Sequence, residues 1–366
     1  MKEDNIQLMK PNVGKDEIEL VTKVIESGYL VEGPMVKEFE SSVADYIGVK
    51  HAISCTSWTT GAEMVFRAIG LEKGDEVICP SFTHPATALS VITAGGVPVI
   101  VDVDLKSRNT TAEIVSKAIT DKTRAIQPVS IFGNPVDIAP INDLAKKHNL
   151  FVIDDAACTL GSHYKGKPVG GLTDFTIFSF HPRKVFTCGD GGLITTNDDE
   201  FASSIRSMKV FGARNGEFQN WGTNQRMSNI HGAVLLGQIR RIKEIVDDRV
   251  SKAQIYDKLL ENMPEVTIPF IEKGNISNYQ TYAVYLEKEG IRDHIISMMR
   301  ERGIQTQIGT YAIHQTPYLK DFRRSGKLIN SIKLSDNLLS LPLHYELSLQ
   351  DQERVVNELK AILQKI

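Results

Sequence analysis

The sequence predicts an α/β protein: a mainly parallel central sheet sandwiched by helices, with a smaller α+β domain at the C-terminal end. Three observations predict it. From residue 51 to residue 153, short apolar strands alternate with helical stretches, the pattern of a parallel sheet covered on both faces. The residues with chemical potential fall near the carboxyl ends of those strands, where such sheets bind ligands. Past Asn197 the composition shifts and a long helical stretch intervenes, dividing the chain into residues 1–246 and 247–366.

The totals narrow the function. The chain has 366 residues, 42% hydrophobic and 24% charged, with a net charge of −3. A balance so close to neutral does not favour nucleic acid or an anionic membrane as partner. Cys55, Cys79, Cys158 and Cys188 are widely spaced with no CxxC pair, which fits a reducing compartment better than a disulfide frame or a zinc site; no metal is expected. The first twenty residues lack an apolar signal core, and no apolar run approaches a membrane span. A cytoplasmic location is therefore expected.

Taken in order, Ile18, Val21, Val24 and Ile25 have helical spacing over 15–27, and Gly28 stops that helix. A turn-rich crossing over 28–34 leads into a second helix over 35–47. The strand 51–54 is followed by a small polar turn, 55–61, and a helix over about 62–69. Strands are then predicted over 76–79, 98–103, 125–131 and 151–153, and helices over 85–94, 111–120 and 138–148. Two apolar, β-favouring runs, 176–180 and 193–196, flank an irregular loop. Residues 198–211 read as mixed helix and loop, and the Gly- and Asn-rich stretch 212–224 as an excursion. One long helix is predicted from Met227 to about residue 260. Beyond it come a strand over 281–286, a helix over 292–302 ended by Gly303, a strand over 304–308, and a last helix from Ser348, where Ser348 and Asp351 make a capping-box-like start.

Four places carry candidate chemistry. Between the runs 176–180 and 193–196 lie His181, Pro182, Arg183 and Lys184, then Gly189, Asp190, Gly191 and Gly192. A lysine on such a loop between buried strands can be desolvated and made nucleophilic, as Schiff-base chemistry requires; a surface lysine on an ordinary loop fits the same residues. The turn containing Ser57, Thr59 and Thr60 runs from a strand into a helix start, which offers amide N–H groups and a positive dipole end to an anion; a plain N-cap is equally compatible. Strand 151–153 ends in Asp154 and Asp155. Their side chains point opposite ways, and the one facing a site could bind a metal, cap a turn or pair with a protonated ring nitrogen. The fourth place is the segment from Ser81 to His84.

A Schiff-base lysine, an anion-binding helix start and a strand-end aspartate are together what pyridoxal 5′-phosphate requires. At this point the chain resembles a known family over almost its whole length. The segments GYLVEGPMVKEFE, GDEVICPSFTHPATA, VIDDAAC, FSFHPRKVFTCGDGG, NQRMSNIHGA and LPLHYELS are similar, in order and spacing, to the sugar aminotransferases of the DegT/DnrJ/EryC1/StrS group, which have the PLP-dependent transferase fold type I of aspartate aminotransferase. FSFHPRK followed by GDGG is the specific part. The resemblance implies that Lys184 carries the cofactor and moves the proton between Cα and C4′, and that Asp155 pairs with the pyridine nitrogen. It implies further that Thr59 and Thr60 hold the phosphate through their amides, that the Ser179 hydroxyl joins them, and that Asn224 reaches the phosphate of the other subunit. A homodimer with shared active sites follows. Tyr311 and His314 lie in a segment that is near the sugar-binding side in relatives.

Several positions depart from the family's pattern. Trp58 stands where glycine is frequent, so its indole must be placed off the phosphate turn. His84 takes the position of the ring that stacks on the cofactor. Cys158 replaces a glutamine, and Asp190 a glutamate. The implied activity is a PLP-dependent aminotransferase acting on a nucleotide-linked keto-sugar for amino-sugar, surface-polysaccharide or antibiotic-sugar biosynthesis. L-glutamate is the expected amino donor, and pyridoxamine phosphate the cofactor form between half-reactions. A sugar dehydratase of the same family carries histidine in place of the lysine, so Lys184 argues against it. An aromatic-amine-forming or amino-cyclitol relative would share the same motifs. So would a non-catalytic PLP-binding regulator, but the intact set of Lys184, Asp155 and Ser179 argues against that role.

Overall fold

The computed structural model describes residues 5–366. Its largest sheet has eight strands, in the order His51–Cys55, Gly192–Thr196, Phe175–Ser179, Phe151–Asp155, Thr123–Ile126, Glu76–Pro80, Val97–Val101 and Arg324–Ser325. All neighbours pair in parallel except Gly192–Thr196, which runs antiparallel to both of its neighbours. The parallel pairs need crossover connections, and the intervening helices supply them. Those helices put apolar side chains on both faces, so the central strands are buried along nearly their whole length. This is the mainly parallel, helix-covered sheet that the alternating pattern predicts.

The two faces have different partners. On one, Leu20 and Val24 of Lys15–Ser27, Val36, Phe39 and Val43 of Pro34–Ile47, and Leu235 and Leu236 of Asn229–Ile239 pack with Phe178 and Leu193. On the other, Met64 and Val65 of Trp58–Ala68 and Ile205 of Asp199–Met208 pack with Ile177 and Ile194. Strand alternation sends Ile177 and Phe178 to opposite faces. Gly28 ends the first helix with a left-handed φ of 68°, a conformation that costs glycine little.

A second, antiparallel sheet of four strands follows the order Val266–Thr267, Tyr282–Leu286, Leu338–Leu341 and Gln307–Ile308. It packs its own apolar cluster against Leu349–Leu363, Arg292–Glu301 and the second half of Ile242–Leu260. Arg249 joins this region to the helix that leads into it. The buried guanidinium donates to the carbonyls of Asn278, Tyr279, Gln280 and Leu343.

Several boundaries differ from the sequence-based expectation, each for a visible reason. The helix expected from about residue 62 begins at Trp58, because Ser57 accepts from the Thr60 amide and caps it there. The strand expected over 125–131 spans Thr123–Ile126; Asn109 Oδ1 then captures the Ile131 amide, and the chain turns through Phe132 at φ 57°. The helix expected over 111–120 is only Ala112–Ser116, since the turn residue Thr120 donates to Glu76 and accepts from Lys122. The single long helix is two, Asn229–Ile239 and Ile242–Leu260, broken where Arg241 bends out of helical geometry and reaches Glu17 at 2.7 Å. The strand expected over 304–308 is confined to Gln307–Ile308, while Ile304 pairs with Ile6. Finally, the late segment Arg324–Ser325 adds to the outer edge of the large sheet. Among the described residues no helix is long and apolar enough to cross a membrane.

Candidate active site

Register brings the candidate residues to one end of the large sheet. Cys55, Gly192 and Ser179 lie side by side across three adjacent strands, and Asp155 is in register with Ile177. The turn after Cys55, the loop after Ser179 and the carboxylate of Asp155 therefore share the same edge.

The turn after Cys55 is built as an anion cup. Ser57 caps the helix Trp58–Ala68 and draws in the Thr60 amide at 3.2 Å, while the Gly61 amide donates to the Ser57 carbonyl at 3.1 Å. The Trp58 and Thr59 amides have no acceptor among the described residues, so the helix start keeps two donors for an anion. Thr60 is thus occupied: its hydroxyl lies 2.9 Å from Thr56 Oγ1 and its amide serves Ser57. Gly192 makes the cup possible, because a Cβ there would collide with the Ser57 carbonyl and come within 2.7 Å of the Trp58 nitrogen. The Trp58 indole points away from the cup, buried in the core, with Nε1 donating to the Ile177 carbonyl at 3.1 Å. That is the off-turn placement the sequence required.

The loop bearing Lys184 is irregular but firmly held. Val185 and Phe186 are buried. The Gln238 carboxamide grips both backbone groups of Thr187, accepting from its amide at 2.9 Å and donating to its carbonyl at 2.7 Å. Gln280 donates to the Arg183 carbonyl at 2.8 Å, so the segment after the long helix touches the loop directly. Lys184 itself is half-buried, and its amine donates to Cys158 Sγ at 3.2 Å. Ser179 is half-buried at the start of the loop, where its hydroxyl accepts from the His181 amide at 3.4 Å.

Asp155 and Asp154 face opposite ways, as alternation demands. Asp155 accepts from Thr87 Oγ1 at 2.8 Å and from the Ala157 amide at 3.2 Å. Burial pushes its pKa up to about 6, opposed by the Thr87 hydroxyl, the Lys184 charge and the Ala157 amide. Asp154 is raised to about 7 by burial and then by the charge of Asp155, and only the Ser130 hydroxyl opposes this. Among the described residues no group of three or more His, Cys, Asp and Glu is placed to hold a metal ion.

His84 lies at the open side. Its pKa is lowered by partial burial and by the charges of Lys184, His181 and Arg183. Nδ1 accepts from the Ala86 amide at 3.2 Å, so the neutral ring carries its proton on Nε2. Tyr311 meets it edge to face, 6.2 Å between ring centres. The segment Tyr311–Ala312 pairs with Phe82–Thr83, and His314 Nδ1 sits 2.5 Å from Ser81 Oγ. Asn224 is exposed, and its Oδ1 accepts from Arg226 Nε at 3.0 Å; the next residue, Gln225, accepts from the Thr56 amide. Asp190 is exposed beyond the lysine, and its carbonyl accepts from the Cys188 thiol at 3.3 Å.

The sequence pattern alone does not single out Thr87 or the pairing of Ser81 with His314. No local pattern marks Thr87, because Thr83 lies on a short strand and Thr87 in the helix Ala86–Thr93, and the carboxylate it meets is 68 residues further on.

The residues fit pyridoxal phosphate. Two free amides sit in a cup that only glycine permits, an amine stands on the neighbouring loop, and a buried carboxylate keeps unused acceptor capacity on both oxygens. A family model described as the DegT/DnrJ/EryC1/StrS aminotransferase family matches residues 11–360. The UDP-2-acetamido-2-deoxy-3-oxo-D-glucuronate aminotransferase of Pseudomonas aeruginosa is 36% identical over 338 residues, 90% of this chain and 91% of that one. The GDP-perosamine synthase of Caulobacter vibrioides is 35% identical over 367 residues, 98% of each chain. The crystal structure of a DegT DnrJ EryC1 StrS aminotransferase from Brucella abortus superposes with a TM-score of 0.90 at 31% identity, covering 95% of both chains. The chain belongs to the DegT/DnrJ/EryC1/StrS aminotransferase family, with its type I fold.

Proposed function

We propose that this protein is a pyridoxal-phosphate-dependent aminotransferase that moves an amino group from L-glutamate to a nucleotide-linked keto-sugar. The observation that carries the reading is the meeting of Lys184, the Trp58/Thr59 amide cup and buried Asp155 at one sheet edge. The relatives support the substrate class: one is named for an oxo-glucuronate nucleotide and one for GDP-perosamine.

Each residue has a task in this reading. The Trp58 and Thr59 amides and the Ser179 hydroxyl bind the phosphate; Thr60 contributes by holding the cap that aims those amides. Asp155 keeps the proton on the pyridine nitrogen, and His84 lies against the ring. When bound, the cofactor supplies an electron sink for the pair released at the donor's Cα. With the cofactor bound, the Lys184 amine would take the proton from the donor's Cα and deliver it to C4′ across the intervening nitrogen, a general acid–base role. Asn224 serves the phosphate of a second subunit in a homodimer, and Tyr311 and His314 border the sugar side. Unpaired Cys55, Cys79, Cys158 and Cys188 suit work in the cytoplasm.

The test is reconstitution. Protein loaded with pyridoxal phosphate should show the near-visible band of a lysine-bound cofactor, and borohydride should fix the cofactor on Lys184. L-glutamate should bleach that band with release of 2-oxoglutarate, and a panel of keto-sugar nucleotides should restore it. Protein that takes up no cofactor, or a Lys184→Ala variant that is still labelled by borohydride at the active site, would overturn the reading.

A further inference from the structure

We propose that Thr87 is a positioning residue whose hydroxyl, backed by Thr83, orients the Asp155 carboxylate toward the ring nitrogen of the cofactor. The assignment rests on the proposed cofactor chemistry and goes beyond it.

Three observations carry it. Thr87 Oγ1 donates to Asp155 Oδ2 at 2.8 Å, between residues 68 positions apart. Thr83 Oγ1 lies 3.0 Å from Thr87 Oγ1. All three side chains are buried. A hydroxyl has one proton to give. Thr87 gives its proton to the carboxylate, so its oxygen accepts from Thr83, and both dipoles are aligned toward Asp155. A chain so directed favours the ionised carboxylate and strengthens along its length. The Ala157 amide takes one lone pair of the other oxygen at 3.2 Å. Each carboxylate oxygen is thereby pinned by one donor, and each retains a lone pair for a ring N–H.

Thr83 is fixed in turn from the far side, because its backbone pairs with Tyr311 in the segment that docks on Phe82–Thr83. The hydroxyl chain therefore runs from that docked segment to the carboxylate. The charged and titratable groups that act on Asp155, or are acted on by it, are Lys184, Asp154 and the Cys79 thiol. None of these donates a hydrogen bond to Asp155, so Thr87 is its side-chain donor among the described residues.

The experiment compares Thr87→Val, which keeps the shape and removes the hydroxyl, with Thr87→Ser, which keeps the hydroxyl, and Thr83→Val, which removes only the backing. A hydrogen bond to a charged group sets the scale. Thr87→Val should weaken cofactor binding, read by fluorescence titration of the apoprotein, by roughly ten- to a hundredfold. It should also move the acid limb of the kcat/KM profile toward neutral pH, because losing the donor lets Asp155 protonate sooner as pH falls. Thr83→Val should shift both in the same direction by less, and Thr87→Ser should restore wild-type behaviour. A merely structural role would lower the melting temperature without moving the acid limb. If the wild type binds cofactor and Thr87→Val binds it equally well with an unmoved limb, the assignment is overturned while the aminotransferase reading stands. Wild-type protein that binds no cofactor overturns both.

Discussion

The amine of Lys184 donates a hydrogen bond to the sulfur of Cys158 at 3.2 Å, a contact between two loops at neighbouring strand ends. A thiol is a weaker acceptor than the carboxamide that the family resemblance implies at this position, so the free lysine is held lightly. Such a contact steadies the amine without trapping it.

From this, Cys158→Ala should leave the near-visible band of the loaded protein intact and lower turnover by less than about tenfold, since a neutral hydrogen bond contributes about 1 kcal/mol. Cys158→Ser should stay close to wild type. Steady-state kinetics with L-glutamate would check this, and a loss beyond about a hundredfold in the serine variant, far more than such a bond is worth, would put the thiol in the chemistry itself.

Asp154 gives a prediction with a definite sign. Its folded pKa of about 7 lies above the ordinary carboxylate value of about 3.9. Between those values the folded state holds a proton that the unfolded state has lost, so stability falls as pH rises from about 4 to about 7 and then levels off. Asp154→Asn cannot ionise and still accepts from Ser130. Its apoprotein should melt higher than wild type at about pH 8, with the advantage shrinking toward about pH 5. Thermal unfolding across that range is the measurement, and an advantage that grows on acidification would contradict the assigned direction.

Gly192→Ala should damage the phosphate cup. The added Cβ meets backbone atoms of Ser57 and Trp58 rather than a flexible side chain, so the turn itself must shift. Overpacking of this kind costs about 1–3 kcal/mol. The melting temperature should fall by several degrees, and pyridoxal phosphate should bind at least about tenfold more weakly, since amide direction governs anion binding at a helix start. Calorimetry of the apoprotein and a cofactor titration separate the two effects.

The strongest local patterns were legible. The alternation of strands and helices, the strand ending in Asp154 and Asp155, and the loop holding Lys184 all depend on neighbours within a few residues. Element ends were less legible where a distant side chain intervenes. Asn109 stops the strand at Ile126 by claiming the Ile131 amide, and the Arg241–Glu17 pair sits at the break in the long helix.

By itself, then, the sequence determined the fold class, the family, and the short segments where chemistry could occur, because backbone preference and side-chain alternation are local properties. Only the tertiary structure decided how those segments act on one another. It set Thr87 against Asp155, Cys158 against Lys184, and the Trp58 indole on the Ile177 carbonyl. Those outcomes turn on hydrogen-bond direction and burial, which depend on residues tens of positions away and exist only once the chain has folded around them.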